Sequence, residues 1–380
     1  MRSRRRGSVM DDVNTGRQIE FDYMKGIFML FIFLIHAYQA TGSEENTLIS
    51  CIYIFATMSG AAIYIFVQGF GTSYSDHLTP LHMVKRGIRL VIYQYLSNLL
   101  YVIALTIPYM FTGNTLSAQG AENHDFYIWI YSQFINIFFI SGVIYLVLAL
   151  LRRMRLPALG YVALAVFIAV LAPIIYGAEV DIPGIGYVVA LLIGEEPYVS
   201  FTPLYFLSYA LIGVAAGKAY RKIREKSLFY KRLIPICVII ILLWWISIFI
   251  RFRLSPDEWG FVTDVASFES VMDEAYSRPD LWHVIASLSH IGLFAGVLYF
   301  YEERRKRKKS QFLYYSSNIS KYYALHLSVD LLAVGLHGYI GFSVGECFAL
   351  AVISMVVTEA LVRMTDYLTN KYDMLRKQML

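Results

Sequence analysis

Apolar runs of roughly 20 residues recur along almost the whole chain, and short polar segments separate them. A run of this length crosses the hydrocarbon core of a bilayer as one helix. Hydrophobic residues make up 57% of the 380 residues and charged residues only 16%, whereas soluble domains carry about 25% charged residues. Because so few charges cannot cover a soluble core of this size, the runs are predicted to be membrane-spanning helices.

We predict an all-α transmembrane bundle of about ten spans. The predicted spans are 21–40, 48–70, 84–111, 127–151, 159–177, 199–218, 233–252, 281–301, 319–336 and 346–362. A further apolar stretch, 185–192, is too short to cross, so we expect it at the outer surface or re-entering the membrane. The bundle forms one domain over 19–369, flanked by a basic cytoplasmic tail over 1–18 and a cytoplasmic C-terminal tail over 370–380.

Lysine and arginine accumulate in alternate connecting segments, as they do in the cytoplasmic loops of membrane proteins. The basic segments are 2–6, 85–89, 152–155, 218–232, 302–309 and the tail after Arg363. The segments between them are mostly acidic: 42–46, 113–125, 178–198 and 253–280. Only an even number of spans with an inside N-terminus produces this alternation. The net charge of +5 is therefore ascribed to topology and to contact with anionic lipid, and nucleic-acid binding is not supported.

The three cysteines, Cys51, Cys237 and Cys347, lie in apolar runs without a CxxC or paired spacing. Neither a disulfide framework nor a zinc site is predicted. No HxxxH or HExxH pattern occurs, so no metal is expected. The first apolar run lacks a small-residue cleavage site and is interpreted as a retained helix rather than a signal peptide.

The first span contains an acidic residue, a lysine and a histidine, and ionisable groups inside spans are the default candidates for function. Asp22 and Lys25 are three positions apart and can pair at the inner membrane surface. His36 follows Lys25 by 11 positions, which is three turns plus about 20°, so the two side chains share a helix face roughly 16 Å apart. This predicts a cavity with a cation at its inner mouth and an imidazole deeper inside. Alternatively, Lys25 snorkels to the headgroups and His36 caps the outer interface.

The third span begins with two arginines three positions apart, Arg86 and Arg89. On one helix face they can grip a phosphate that arrives from the cytosol. A plain positive-inside cluster explains them equally well. Both interpretations remain open.

The eighth and ninth spans add further polar residues. His326 and Asp330 are four positions apart, so the carboxylate can orient the imidazole. His283 and His290 share a face of the eighth span, and His290 lies at a depth where it can approach His36 or His326. Ordinary interhelical hydrogen bonding is the alternative for all of these.

Taken together, these residues resemble the acyltransferase-3 family of membrane acyltransferases and the related heparan-α-glucosaminide N-acetyltransferase group. The first-span pattern of the family is Arg or Lys, ten residues, then His, and Lys25 and His36 match it. A Ser-Gly pair at 59–60 stands where the family has one in its second span. The segment 86–89 matches the Arg-x-x-Arg of its third span.

The resemblance continues towards the C-terminus. Tyr322 and His326 are similar to a Tyr-x-x-x-His stretch in a late helix of the family, and 203–217 resembles the acetyltransferase group. The match thus runs from near Asp22 to near Asp330 and includes a ten-span architecture. Lys25 replaces the commoner arginine, so the branch of the family stays open.

The resemblance implies that cytosolic acyl-CoA, expected to be acetyl-CoA, donates its acyl group to a cell-envelope glycan or glycolipid at the outer side of the plasma membrane. Lys25, Arg86 and Arg89 would hold the phosphates of the donor. His36 would act as general base or transient acyl acceptor, because an imidazole takes up and returns a proton near neutral pH. The supporting residues would be Asp22, His290, His326 and Asp330.

Two other functions remain possible for such a chain. The first is a secondary transporter or flippase for a small polar substrate or a lipid-linked sugar, to which the many spans and the intramembrane His326 and Asp330 point. Paired broken helices in corresponding halves, the usual sign of a transport site, are not evident in the sequence. The second is a non-enzymatic membrane assembly factor.

Overall fold

Long apolar segments with few helix breakers form helices throughout the part of the chain that the structure describes. The computed structural model describes residues 12–41, 52–53, 55–56, 59–74, 78–113, 124–175, 189, 191–193, 202–254, 280–305, 310–338 and 342–379. Within these ranges the regular structure is helical, which confirms the predicted all-α class.

These ranges contain twelve helices of seven or more residues. They are α1 (Ile19–Thr41), α2 (Gly60–Tyr74), α3 (Pro80–Thr112), α4 (His124–Gln133), α5 (Ile137–Arg153), α6 (Ala158–Ile175), α7 (Pro203–Tyr220), α8 (Lys226–Leu254), α9 (Leu281–Arg305), α10 (Gln311–Ser317), α11 (Ile319–His337) and α12 (Val344–Met379).

Five helices in the described ranges are long and apolar enough to span a membrane. These segments are Pro80–Thr112, Ala158–Ile175, Lys226–Ile248, Leu281–Arg304 and Val344–Tyr372. In the most apolar part of Lys226–Ile248, only 11% of the residues are buried inside the protein. Helices with this much exposed apolar surface are expected to face lipid.

Local signals account for several helix ends. The Thr79 side chain caps α3 by accepting a hydrogen bond from the His82 backbone, and Pro80 occupies the first turn, where its missing N–H costs nothing. At the other end, Gly113 adopts φ 70°, a left-handed conformation that favours glycine. The structure thus extends the predicted third span, 84–111, by a few residues at its start.

The predicted fourth span, 127–151, is not one continuous helix. It is interrupted after Gln133, and Asn136 caps the new helix α5 by accepting a hydrogen bond from the Phe138 backbone at 3.0 Å. Asparagine favours this position because its side chain competes for backbone N–H groups. The prediction of an unbroken span was therefore wrong here.

Two amide side chains of α3 satisfy the backbone at this interruption. Gln94 Nε2 and Asn98 Nδ2 donate to the Phe134 carbonyl at 2.9 and 3.0 Å. Gln94 Oε1 accepts from the backbone N–H of Asn136 at 3.2 Å and from that of Phe139 at 3.3 Å. Broken backbone is tolerated inside a membrane only when the protein supplies such partners.

The end of the last helix also differs from its prediction. The last helix, α12, continues to Met379, well beyond the predicted span 346–362, because no proline or glycine interrupts its polar second half. The first part of the predicted span 48–70 and most of the stretch 185–192 lie outside the described residues.

Glycine contacts bring α2 and α7 together. A Cβ atom on Gly69 would lie 2.0 Å from the Ala210 carbonyl oxygen, and one on Gly213 would lie 2.2 Å from the Phe66 carbonyl oxygen. Such backbone-to-backbone contact needs small residues. Helices in a membrane often pack in this way, because the hydrophobic effect does not drive them together in lipid. This pair of helices forms one wall beside α1.

Candidate functional site

The imidazoles of His36 and His326 meet inside the bundle, although they lie 290 positions apart in the chain. Nδ1 of His36 lies 2.9 Å from Nε2 of His326, which joins α1 to α11. His326 is fully buried and His36 is half-buried. The rings of Phe33 and Tyr323 pack edge-on against His326, with centroids 5.5 and 5.3 Å away. The pair therefore sits in a mostly apolar environment.

The hydrogen bonds of the pair assign its tautomers. Nδ1 of His326 lies 3.0 Å from the Tyr322 carbonyl oxygen, which can only accept, so this nitrogen carries the hydrogen. In neutral His326, Nε2 is then an acceptor, and Nδ1 of His36 donates to it. The lone pair of neutral His36 consequently lies on Nε2, as assigned from the network.

Asp330 does not orient His326, contrary to the sequence-based expectation. It is fully buried one turn further along α11, but neither carboxylate oxygen has a hydrogen-bond partner among the described residues. The carbonyl of Tyr322 and the ring of His36 already occupy both nitrogens of His326. Asp330 is four positions after His326 and therefore its neighbour on the helix. The Tyr322 carbonyl, one turn earlier, competes with Asp330 for the imidazole N–H and accepts its hydrogen bond instead.

His290 also stays apart from the pair. Its Nδ1 lies 2.9 Å from the Ala286 carbonyl oxygen of its own helix, α9. The prediction that His290 approaches His36 or His326 is therefore not met in this structure. The sequence places the residue at a suitable depth but does not determine how α9 is rotated.

A cavity of about 740 Å³ lies between α1, α2, α3, α5 and α11. Charged residues line one end, among them Arg17, Asp22, Lys25 and Arg86. We call this end the mouth. Ordinary small-molecule sites have volumes of about 300–1,000 Å³, so the cavity can hold a sizeable ligand.

At the mouth, Asp22 gathers several partners. Lys25 Nζ lies 3.0 Å from Asp22 Oδ1, as their spacing predicted, and Arg17 Nε is hydrogen-bonded to Asp22 Oδ2. The Ser316 hydroxyl also donates to Asp22 Oδ1, at 3.1 Å. The backbone of Lys25 is fixed as well, because its carbonyl accepts from the Tyr64 hydroxyl at 3.1 Å. Asp22 thus holds two cations in place, and its single negative charge leaves the mouth with a net positive charge.

The two arginines of α3 behave differently. Arg86 lines the cavity, and its guanidinium lies 5.1 Å from the ring centroid of Tyr145. Arg89, which is exposed like Arg86, does not line the cavity. The expectation that both arginines grip one ligand is therefore not met, because only Arg86 of the two lines the cavity in this structure. Arg17 takes its place, and sequence reasoning missed it because Arg17 precedes α1.

An N-terminal strap, residues 12–18, runs along the mouth and was also missed. Asp12 pairs with Arg221 at 2.9 Å, and the backbone N–H of Val13 donates to the Arg221 carbonyl at 2.8 Å. Four residues of the strap line the cavity: Thr15, Gly16, Arg17 and Gln18. In the sequence this segment is short and polar, with one acidic and one basic residue, and carries no motif.

A second polar set, also missed, ties α11 to α12. The Tyr322 hydroxyl donates to Glu359, and Lys321 pairs with Asp366. Tyr314 of α10 donates to Asp366 at 2.8 Å. Burial is the main cause that raises the pKa of Tyr314 to about 12, and the hydrogen bond to Asp366 is the second. The contacts anchor the turn of α11 whose carbonyl holds His326.

The cavity with Lys25 at its mouth does not reach His36, contrary to the prediction that the imidazole lies deeper inside it. Neither imidazole lines the cavity, whose inner end includes Tyr323. The Tyr323 ring contacts both imidazoles, with centroids 6.1 Å from His36 and 5.3 Å from His326. One buried aromatic side chain therefore stands at the boundary between the cavity and the pair.

No group of three or more histidine, cysteine or carboxylate side chains that could hold a metal is present in the described part of the chain. Comparison with protein-family models, characterised proteins and solved structures finds no match to the chain. What the site does is therefore argued from its geometry and from general chemistry.

Proposed function

We propose that this protein is an integral membrane acyltransferase that moves an acyl group, expected to be acetyl, from cytosolic acyl-CoA to a cell-envelope glycan or glycolipid. The observation that carries the proposal is the hydrogen-bonded pair of His36 and His326 just beyond the inner end of a cavity with cations at its mouth. The sequence resemblance supports the same reaction.

The mouth suits the phosphates of a coenzyme A donor. Arg17, Lys25 and Arg86 place three cations around one opening, and charge-assisted hydrogen bonds from such groups bind phosphate oxygens strongly. The cavity beyond the mouth would take the extended part of the donor. Proximity in a confined channel then positions the thioester for reaction.

The free lone pair on Nε2 of His36 supplies the chemistry. As acyl acceptor, Nε2 attacks the thioester carbonyl carbon, the C–S bond breaks, and coenzyme A leaves as a thiolate. The Nδ1 proton of the acylated ring passes to Nε2 of His326, which leaves a neutral acyl-imidazole. A hydroxyl of the acceptor then attacks the acyl carbon, the bond from that carbon to Nε2 of His36 breaks, and His326 returns its proton to Nδ1 of His36. The hydroxyl proton leaves to solvent and balances the charge of the coenzyme A thiolate. As general base, His36 would instead deprotonate the acceptor hydroxyl directly.

The proposal includes ten spans, both termini in the cytoplasm and a position in the plasma membrane. The basic connecting segments support this orientation, because lysine and arginine accumulate on the cytoplasmic side. With the N-terminus inside, the mouth near Asp22 and Lys25 opens to the cytosol, where acyl-CoA is found. His36, farther along α1, then lies closer to the outer side.

Membranes that contain the protein should be incubated with acetyl-CoA labelled in the acetyl group. We expect label in a membrane-associated carbohydrate product, and none when His36→Ala is produced at the same level. A His36→Ala variant that inserts and still transfers label would remove His36 from the mechanism. Labelled product in membranes that lack the protein altogether would come from another enzyme.

A secondary transporter or flippase is the second candidate. Two observations favour it: the interruption between α4 and α5, and the buried Asp330 with no hydrogen-bond partner among the described residues. Broken helices and intramembrane carboxylates are common at transport sites. Substrate flux in liposomes without acyl-CoA would support transport, whereas flux that depends on acyl-CoA would not.

A further inference from the structure

Tyr323 occupies the boundary between the cavity and the histidine pair. It lines the cavity and is itself only 8% exposed, and its ring packs edge-on against Phe138 with centroids 5.4 Å apart. It also contacts the rings of both His36 and His326. Among the described residues, it is the lining side chain whose ring touches both imidazoles.

The neighbours of Tyr323 make hydrogen-bond or cation contacts. The hydroxyl of Tyr64 donates to the Lys25 carbonyl, and the ring of Tyr145 lies under the Arg86 guanidinium. Phe138 lies in the first turn of α5, two positions after the cap residue Asn136, and its backbone N–H donates to the Asn136 side chain. The Tyr323 ring, by contrast, packs against the rings of Phe138, His36 and His326. A turn of the Tyr323 side chain therefore breaks ring contacts and opens the boundary between the cavity and the pair.

We propose that Tyr323 is a specificity-determining residue that closes the inner end of the donor cavity and restricts transfer to short acyl groups. This inference rests on the proposed function. A thioester in the cavity reaches Nε2 of His36 only when the Tyr323 ring turns aside, and the space then available is bounded by buried Phe33 and Phe138. Packed interiors do not widen freely, so a short acyl group passes and a long one does not.

The closure can be tested without any enzymatic activity. Purified protein is treated with diethyl pyrocarbonate, and the rate of modification of His36 is followed by peptide mass spectrometry. We expect modification to be at least about tenfold faster in Tyr323→Ala than in the wild type, because the cavity then reaches the pair. The matched control is Tyr145→Ala, which removes another lining tyrosine near the mouth and should leave the rate unchanged. Equal rates in folded Tyr323→Ala and wild type would overturn the proposal.

The selectivity is tested with a series of donors from acetyl-CoA to octanoyl-CoA. We expect Tyr323→Ala to raise the hexanoyl-to-acetyl rate ratio by about tenfold or more, since a missing wall admits extra methylenes. Tyr323→Phe keeps the ring and should keep the wild-type ratio. An unchanged ratio in Tyr323→Ala would overturn the selectivity role. Absence of transfer from every donor would contradict the proposed function instead, and the labelling rates would still decide whether Tyr323 closes the cavity.

Discussion

The mouth of the cavity and the histidine pair are both built on α1, yet their surroundings are opposite. At the mouth, the side chain of Arg17 is 65% exposed and that of Lys25 is 20% exposed, so water and salt screen their interactions. In the pair, His326 is 0% exposed, and its ring nitrogens bond to the Tyr322 carbonyl and to His36. Charges at the mouth are therefore partly interchangeable, whereas the pair depends on individual hydrogen bonds.

The strongest test of this difference is removal of His36. We expect His36→Ala to lower acyl transfer by about a thousandfold, the usual contribution of a positioned base or nucleophile. The measurement is the initial rate of label transfer from acetyl-CoA in membranes with matched protein levels. His290→Ala is the control, because it removes a buried imidazole whose Nδ1 bonds to its own helix. Similar losses of transfer in both variants would mean that the loss comes from disturbed packing and not from removal of the histidine pair.

Substitution of His326 separates the hydrogen bond from the ring. His326→Ala should lower transfer by about ten- to hundredfold, because Nδ1 of His36 loses the acceptor that fixes its tautomer. His326→Gln offers an amide oxygen as acceptor and should retain more activity than His326→Ala. If the two variants are equally impaired, the tautomer argument fails.

At the mouth, the two arginines of α3 form a matched pair. Arg86→Ala should raise the apparent KM for acyl-CoA by about tenfold with little change in kcat, since a charge-assisted hydrogen bond contributes about 1.5–3 kcal/mol. Arg89→Ala removes the same charge from a residue outside the cavity and should change KM by less than about twofold. An equal rise in KM in the two variants would indicate that positive charge attracts the donor in general, without a defined binding site.

The smallest effect is expected for Arg17. Its side chain is mostly exposed and bound to Asp22, and exposed ion pairs contribute about 0–1 kcal/mol. Arg17→Ala should therefore raise the KM for acyl-CoA by about threefold or less, and added salt should reduce the difference. A larger effect than that of Arg86→Ala would reverse the ranking of the mouth residues.

Features set by local spacing were predictable from the sequence. The helix class, the pairing of Asp22 with Lys25 and the course of α1 through His36 follow from apolar run length and from residues three or four positions apart. Intramembrane charge also pointed to His326 and Asp330, because such groups are rarely exposed to lipid.

Features that depend on how helices rotate and cross were not predictable. The contact of His36 with His326 joins residues 290 positions apart, and helical periodicity says nothing about which faces meet. For the same reason the sequence could not separate Arg86 from Arg89 or place Tyr323 beside both imidazoles. The interruption near Asn136 was hidden because apolar residues continue on both sides of it.

The glycine contacts between α2 and α7 have a consequence for motion. Neither helix can slide past the other without driving main-chain atoms together at Gly69 and Gly213, so the two move as a single block. Any change in the width of the cavity must then come from the opposite side, where α11 contributes Tyr323. The cavity is thereby fixed in shape along α2, and an opening towards the histidine pair involves Tyr323 of α11.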